Sequence, residues 1–564
     1  MAFADRLDLG LTLTIGGTAH AIPSADVLAF ELDLHGWGHE GRVEFRVLDE
    51  TGHGGQKQDK LLADFLKPDL AEVALELKAV HSDTATKPTF TSLKVKGLVQ
   101  EKSLTEEAVA QAKGAGITYR HYTVRFVDPA RLLWTQHYPC VLYTQKTLQN
   151  VLDAHKGDKI ALANDWAAQL DKTLPLIFLG LAPESGASFY DWAIWFTHTR
   201  NGVLAYDYTS QGYQFRATKD ATGTPITLRA ADVDRVSVVF PEVARHDVAI
   251  LNAAAESPKN QAITNAQAVT GVRQDVLLRT DIADDVQARV TLETARLKVR
   301  GLEVELDWNR FPAVAFAPGA LVKLPDTAGW KAAGVPATED FRVRRMSLRA
   351  EPLPVEEGEI PAGGDASGPG PGGDEPVRRP KPESRFLISF TTRLEKKAEA
   401  HVDLPPFTTP VYPRFVEGLI VSEVGEKKDE TWQAYTDEAT SLDSYKVKLP
   451  LFANQIVQVP FNANLQPGHF YFPAYKGARV LVALDFLRAW LKRNLDWRAG
   501  ARLPSDGQGV HLLVGKTTTS GTSMRHFYED NKPLWRLQRT NESDTEKVEL
   551  KEGNLLILVK EESA

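Results

Sequence analysis

YPRFVEGLIVSEVGEKKDETW (Tyr412–Trp432) opens the stretch that decides the fold of this 564-residue chain. It continues through YKVKLPLF (Tyr445–Phe452), where apolar and polar residues alternate as in a half-buried strand. IVQVPFNANLQPGHFYFPAYKGARVLVALDF (Ile456–Phe486) follows, and GVHLLVG (Gly509–Gly515) closes it. About five short strand-like runs separated by Gly, Pro and Asn turns predict a small closed or nearly closed β-barrel of the OB type over 412–515.

Beyond it, KVELKEGNLLILVKEE (from Lys547) is a β run with a Gly-Asn turn at its centre. An isolated two-stranded ribbon is marginal in water. Pairing with identical runs from sister chains is its natural remedy. Val548, Leu550, Leu555, Ile557 and Val559 are therefore predicted to lie in intertwined strands, and 516–564 in a short β-prism.

The order P-R-F-V-E-G-L-I-V, a strand ending before a Pro, G-H-F-Y-F-P-A-Y-K-G-A-R-V-L-V-A-L-D-F, and a V-G before the tail resembles the spike module of the VgrG family. That family is related to the hub and spike proteins of phage tails and extracellular contractile injection systems. The motif positions are Gly418, Phe472, Pro473, Gly477, Val480, Val482 and Gly515. The family's Gly-Arg-Val strand is replaced by Tyr445-Lys446-Val447, and its long repetitive valine-glycine spike is absent. The short tail implies a stubby spike completed by a PAAR-type tip protein. The resemblance further implies a homotrimer touching tail-tube and baseplate proteins, a cargo effector, and the target cell envelope on firing. Two related barrels in each of three chains would let a three-fold spike meet a six-fold tube.

Composition fits this class. With 43% hydrophobic and 25% charged residues the chain reads as ordinary globular protein, of three to five domains at about 100 to 200 residues each. A net charge of −8 argues against nucleic acid held by counterion release. MAFADRLDLG has neither the basic region nor the apolar core of a signal peptide. Assembly in the cytoplasm, then incorporation into the injection particle, is the expectation. The single cysteine, Cys140, removes intrachain disulfides and reads as a small buried hydrophobe.

The fold class expected is mainly β with a small α+β middle domain. Residues 1–135 read as a first hub barrel: VLAFELDLHGW, GRVEFRVLD, VALELKAV, TSLKVKGLVQEKS and ITYRHYTVRFVDP each alternate, with LLADFLKPDL as a helical turn. In 136–230, Leu148, Val151, Leu152 and His155 have helical spacing and Gly157 is a stop; Phe189, Trp192, Ala193 and Phe196 form a second helical stripe that Ser188 caps. VLAYDY and GYQFRAT follow Asn201-Gly202 as a strand pair. RVSVVF, QARVTLETARLKV, LEVELDW, AVAFAPGALVKL and FRVRRMSLRAE predict a second barrel over 231–400. Its Pro/Gly-rich segment 351–384 reads as a mobile loop enlarging a hairpin. The proline-rich 401–411 reads as an extended connector that holds the last barrel at a distance.

Little here suggests chemistry. GPGPGG (Gly368–Gly373) satisfies G-x-G-x-x-G without the strand and helix a phosphate cradle needs. His35, His39 and His53 lack a helical pattern and a Cys partner for a metal. The acidic run Asp281–Asp285 is expected to face solvent. Arg488, Trp490, Lys492, Arg493 and Trp497 suit a stacking platform for single strands, or, as preferred here, a helical or looped cover on the barrel. No nucleophile elbow, zinc-protease or Walker sequence is present. No cofactor, metal, catalytic residue or stable nucleic-acid partner is expected. The alternative is a monomer binding oligosaccharide or single-stranded nucleic acid through its OB-type barrel.

Overall fold

The structure, a computed structural model, describes residues 2–51, 57–80, 90–108, 118–254, 260–280, 283–324, 339–353, 384–426, 431–436, 443–460, 474–495, 510–515 and 520–561. The chain divides into two units. The first comprises Met1–Leu174 and Leu179–Val411; the second comprises Pro175–Phe178 and Tyr412–Ala564.

In the first unit, alternation builds the walls. Along Ala2–Ile15 the side chains of Leu7, Leu9, Leu11, Leu13 and Ile15 are all buried while their neighbours point outward, as a period of two requires. This strand pairs with Ala71–Ala79, which pairs with Ser92–Ala108, then Thr118–Val127, Gly38–Asp49 and Val27–His35. The six strands do not close on themselves. The ring is completed by the long hairpin Asp340–Pro352 and Ser384–Lys396, with Arg345–Ala350 opposite Phe30–His35 and Ser384–Ser389 opposite Ala2–Leu7. The sequence predicts a self-contained first barrel; the structure closes it with strands from more than two hundred residues downstream.

The same hairpin serves the second lobe with its other end. Thr391–Glu395 pairs with Glu303–Trp308, itself paired with Val233–Val239, and Asp340–Arg342 pairs with Leu321–Lys323. All these strands belong to one 13-stranded hydrogen-bonded sheet. Trp308 stacks on Phe390 (5.3 Å) and its Nε1 donates to Thr392 Oγ1 (3.0 Å) in the lobe's core. Pro318-Gly319, with Gly319 at φ +91°, turns the chain into Leu321–Lys323. The turn end of the hairpin, where Pro352 opposes Phe386, lies in the first ring and not in the second barrel. The predicted mobile loop 351–384, with GPGPGG inside it, falls almost wholly outside the described residues.

The middle segment holds two capped helices. Thr147 caps Leu148–His155 through a reciprocal bond with Asn150, and Gly157 at φ +78° follows its end. Ser188 and Asp191 form the same box on Phe189–Thr199. Phe189, Trp192, Ala193 and Phe196 are all buried, with Trp192 stacked between the two phenylalanines at 5.1 and 5.8 Å. Val203–Asp207 and Gly212–Arg216 form the expected hairpin, joined by Leu162–Asp165.

QARVTLETARLKV is a helix and not a strand: Ala283–Arg296 packs Val286 and Val290 against a three-stranded sheet through Val248, Ile250 and Ile263. Its β-branched residues suggest a strand, but Val286 and Val290 stand one helical turn apart, and burial of that stripe overrides propensity. Asp285 at its start accepts from Thr280 Oγ1 (2.7 Å) instead of facing only solvent, while Asp281 lies outside the described residues. Cys140 is exposed, because the extended backbone that buries Pro139 turns the next side chain outward.

The connector 401–411 is pinned to the first unit and does not stand off it. Asp403 accepts from Arg344 Nη2 (2.8 Å) and Arg300 Nη2 (2.9 Å), and Thr408 N–H donates to Asp191 (2.8 Å). Burial alone would raise the Asp403 carboxyl; the hydrogen bonds and charges of Arg344 and Arg300 win and hold it at about 2.

In the second unit, Arg414–Val421 is the central strand, flanked by Asp443–Leu449 and Arg479–Leu484, with Gln455–Pro460, Tyr435–Thr436 and Ala489–Asn494 completing a six-stranded sheet. The middle of FLRAWLKRNLDW, Ala489–Asn494, is thus a strand of this sheet and not a helical or looped cover. Its pairing leaves Lys492 and Arg493 exposed and Trp490 half-buried; Trp497 lies outside the described residues.

Candidate assembly surface

The motif glycines have steric reasons. Gly418 opposes Val480 across the central ladder, and a Cβ on it would fall 2.4 Å from Val447 Cγ1 and 2.9 Å from Leu449 Cδ2. Val480 and Val482 are fully buried beside it. Gly477 is in the left-handed region, φ +76°, at the turn into that strand. The structure brings these four together; Phe472 and Pro473 lie outside the described residues.

Gly515 belongs elsewhere. Val510–Gly515, predicted to close the barrel, instead pairs with Ser520–Glu529, Gly515 opposite Gly521. It is the first strand of a five-stranded antiparallel meander that continues through Lys532–Asn541, Asp544–Lys551 and Asn554–Lys560. The terminal ribbon therefore has partners within its own chain. The missed hairpins have tight turns at Asp530-Asn531 and Glu542, all at positive φ. Their strands carry many charges on one face, which masks the alternation in the sequence.

Register sorts this sheet into two unlike faces. Leu512 opposes Met524, Met524 opposes Leu537, Leu537 opposes Val548, and Val548 opposes Ile557: one apolar row with a member from every strand. Trp535, Leu550 and Leu555 form a second row on the same face. The other face carries Arg525, Arg536, Gln538, Lys547 and Glu549, with Arg536 paired to Glu549 at 2.8 Å.

Burial is inverted relative to polarity. On the polar face Ser523, Leu534 and Glu549 are buried, whereas on the apolar face Leu537 is 40% exposed, Leu550 48%, Leu555 63%, Ile557 67% and Val559 63%. The last strand is also apolar on its reverse side, at Leu556 and Leu558. Among the described residues Asn554–Lys560 pairs only with Asp544–Lys551, so its outer edge carries no ladder. A contiguous exposed apolar face beside an open strand edge marks an interaction surface.

Other candidate sites do not assemble. His39 is fully buried among Phe126, Tyr206 and Tyr208, and burial pushes its imidazole down to about 3. His35 stacks on Trp37, and His53 lies outside the described residues. Among the described residues no three His, Cys, Asp or Glu side chains converge on a metal position, and no helix is long and apolar enough to cross a membrane.

A mainly β chain of two units, with two lobes sharing one hairpin, a six-stranded sheet and a terminal meander, is the fold class defined here. It is matched among solved structures over nearly its whole length. Among the matches are chains of the PdpA-VgrG complex, two of them from Francisella. The half-lidded form gives a TM-score of 0.70 at 12% identity, covering 99% of this chain and 89% of that one. The lidded form gives 0.70 at 11%, covering 99% and 80%, and a lidless PdpA-VgrG complex 0.69 at 11%, covering 99% of both chains. The resemblance drawn from Tyr412–Gly515 is met at the level of the fold. No protein-family model and no curated protein sequence matches the chain.

Proposed function

We propose that this protein is the homotrimeric hub and spike at the centre of the baseplate of a contractile injection machine. The observation that carries the reading is the exposure of the terminal meander's apolar face: in a single chain Leu512, Met524, Leu537, Leu550, Leu555 and Ile557 are exposed, and Trp535 and Val548 in the same rows are half-buried. Sister copies would bury these rows against one another and pair the open edge of Asn554–Lys560, giving a stiff β-prism with its apolar side inward. The number three comes from the family resemblance, and the fold likeness to chains of the PdpA-VgrG complex supports the class.

In this reading the paired lobes of each first unit present six β modules around the axis to a six-fold tail tube and its baseplate proteins. The prism transmits thrust to the target envelope, capped by a PAAR-type tip and accompanied by an effector. No step of the mechanism calls for a catalytic residue or a cofactor. Light scattering on the purified chain tests the core of the proposal. A particle of three times 62.3 kDa supports it, and a single-chain particle that binds oligosaccharide or single-stranded nucleic acid through the barrel sinks it.

A further inference from the structure

The first unit holds a half-open cavity of about 940 Å³ lined by both lobes, the hairpin Val203–Arg216, the turn His35–Trp37 and the pinned connector. Four consecutive residues, Arg342 to Arg345, line it. A regular strand would turn alternate residues away, but a bulge between Val343 and Arg345 breaks the alternation. Arg345 stands directly opposite Arg393, which also lines the cavity. Like charges placed so are destabilising unless an anion joins them.

The cavity lining carries five carboxylates, Asp207, Asp220, Glu242, Glu395 and Asp403, against seven cations, Arg216, Lys219, Arg300, Arg342, Arg344, Arg345 and Arg393, and the acids nearest the arginine wall are already engaged. Glu395 accepts from Lys219 (2.7 Å) and Arg342 (3.1 Å), Glu303 from Arg344 (2.7 Å) and Arg393, and Asp403 from Arg300 and Arg344. Each carboxylate is shared between two cations. Arg345 is exposed and has no carboxylate partner among the described residues. His35, its neighbour in register, stacks face to face on Trp37 at 4.5 Å and offers a flat plate at the same wall.

We propose that this cavity is a binding site for an anionic group, phosphate or carboxylate, gripped by Arg345 and Arg393 beside the His35–Trp37 plate. Guanidinium forks match both anions, and the volume suits a ligand of small-molecule size or the tip of an acidic segment. The inference is independent of how many chains assemble.

Calorimetry on the full chain at low salt, with tripolyphosphate in one arm and a hexaglutamate peptide in the other, tests it. At least one probe is expected to bind, and Arg345→Ala to weaken it about tenfold or more, the scale of one charge-assisted hydrogen bond. Lys492→Ala, in the second unit, is expected to change nothing. Among the described residues Arg345 makes no ion pair, and its removal relieves the opposition to Arg393, so the variant is expected to melt no lower than the parent. Binding of tripolyphosphate alone assigns the site to a free phosphorylated anion; binding of the peptide alone assigns it to an acidic protein segment. Binding of neither, or binding that Arg345→Ala leaves unchanged, overturns the proposal.

Discussion

Ile557 is the sharpest place to perturb the proposed assembly. It lies in the apolar row that crosses all five strands of the meander, on the last strand, and 67% of it remains exposed in a single chain. Fully burying an Ile side chain is worth about 1.5–3 kcal/mol, so two-thirds of that, about 1–2 kcal/mol per chain, is available on assembly. Three copies give about 3–6 kcal/mol per trimer, or about a hundredfold to ten-thousandfold in the association constant. Ile557→Ala is expected to shift the trimer to single-chain transition by that factor. Ile557→Glu, which adds buried unpaired charge, is expected to leave single chains at every working concentration. The assay is light scattering over a dilution series after refolding from denaturant, so that trapped trimers do not mask the equilibrium. Lys532→Ala, at an exposed turn, serves as the control. An Ile557→Glu protein that reassembles at parental concentrations would refute the argument.

Other expectations concern the single chain. Gly418→Ala would force a Cβ against Val447 and Leu449 and should destabilise the second unit by about 1–3 kcal/mol, as overpacking does; calorimetry should show that unit's transition falling while the first unit's stays. Asp403 is held at about 2 in the folded protein, so its contribution is complete above the unfolded carboxylate range and is lost as pH falls from about 4 towards 2. Asp403→Asn should flatten the acid limb of the first unit's denaturation curve, and an unchanged limb would count against the connector latch. His155 meets His137 Nε2 at 2.9 Å and Tyr143 Oη at 2.9 Å. Burial, then the neighbouring His137, depress its imidazole to about 4. The unfolded chain therefore binds the proton more readily, and stability is lost as pH falls from about 6.5 to 4. His155→Gln should weaken that dependence in thermal melts followed by pH.

What was legible in the sequence was local. Strand alternation in Val27–His35, the cap at Ser188, and the aromatic stripe on Phe189–Thr199 all involve residues within a few positions of one another. The close approach at Gly418 was readable only through the motif, because the clash that forbids a side chain comes from Val447 and Leu449 on another strand. The closing hairpin was invisible for the same reason: nothing near Ala2 announces Ser384–Ser389 as its partner. Val510–Gly515 alternates as well as a barrel strand would, and only the register with Ser520–Glu529 moves it into the meander. Of the assembly surface, Leu555, Ile557 and Val559 stood out as an apolar run, whereas Met524 and Leu537 were hidden among arginines on the reverse face. The cavity left no sequence signal beyond the cluster of arginines in FRVRRMSLRAE.

The hairpin Asp340–Pro352/Ser384–Lys396 also dictates an order of events on the ribosome. Six strands of the first ring emerge early, yet Phe30–His35 keeps a bare backbone edge until Ala350 has left the exit tunnel, and Ala2–Leu7 until Ser389 has. Nascent chains of this protein thus travel through most of their synthesis with two sticky seams open. A truncation anywhere before the returning strand would leave a product prone to zip onto its neighbours, and lobe one and lobe two are inherited, lost or repaired as a single folding decision.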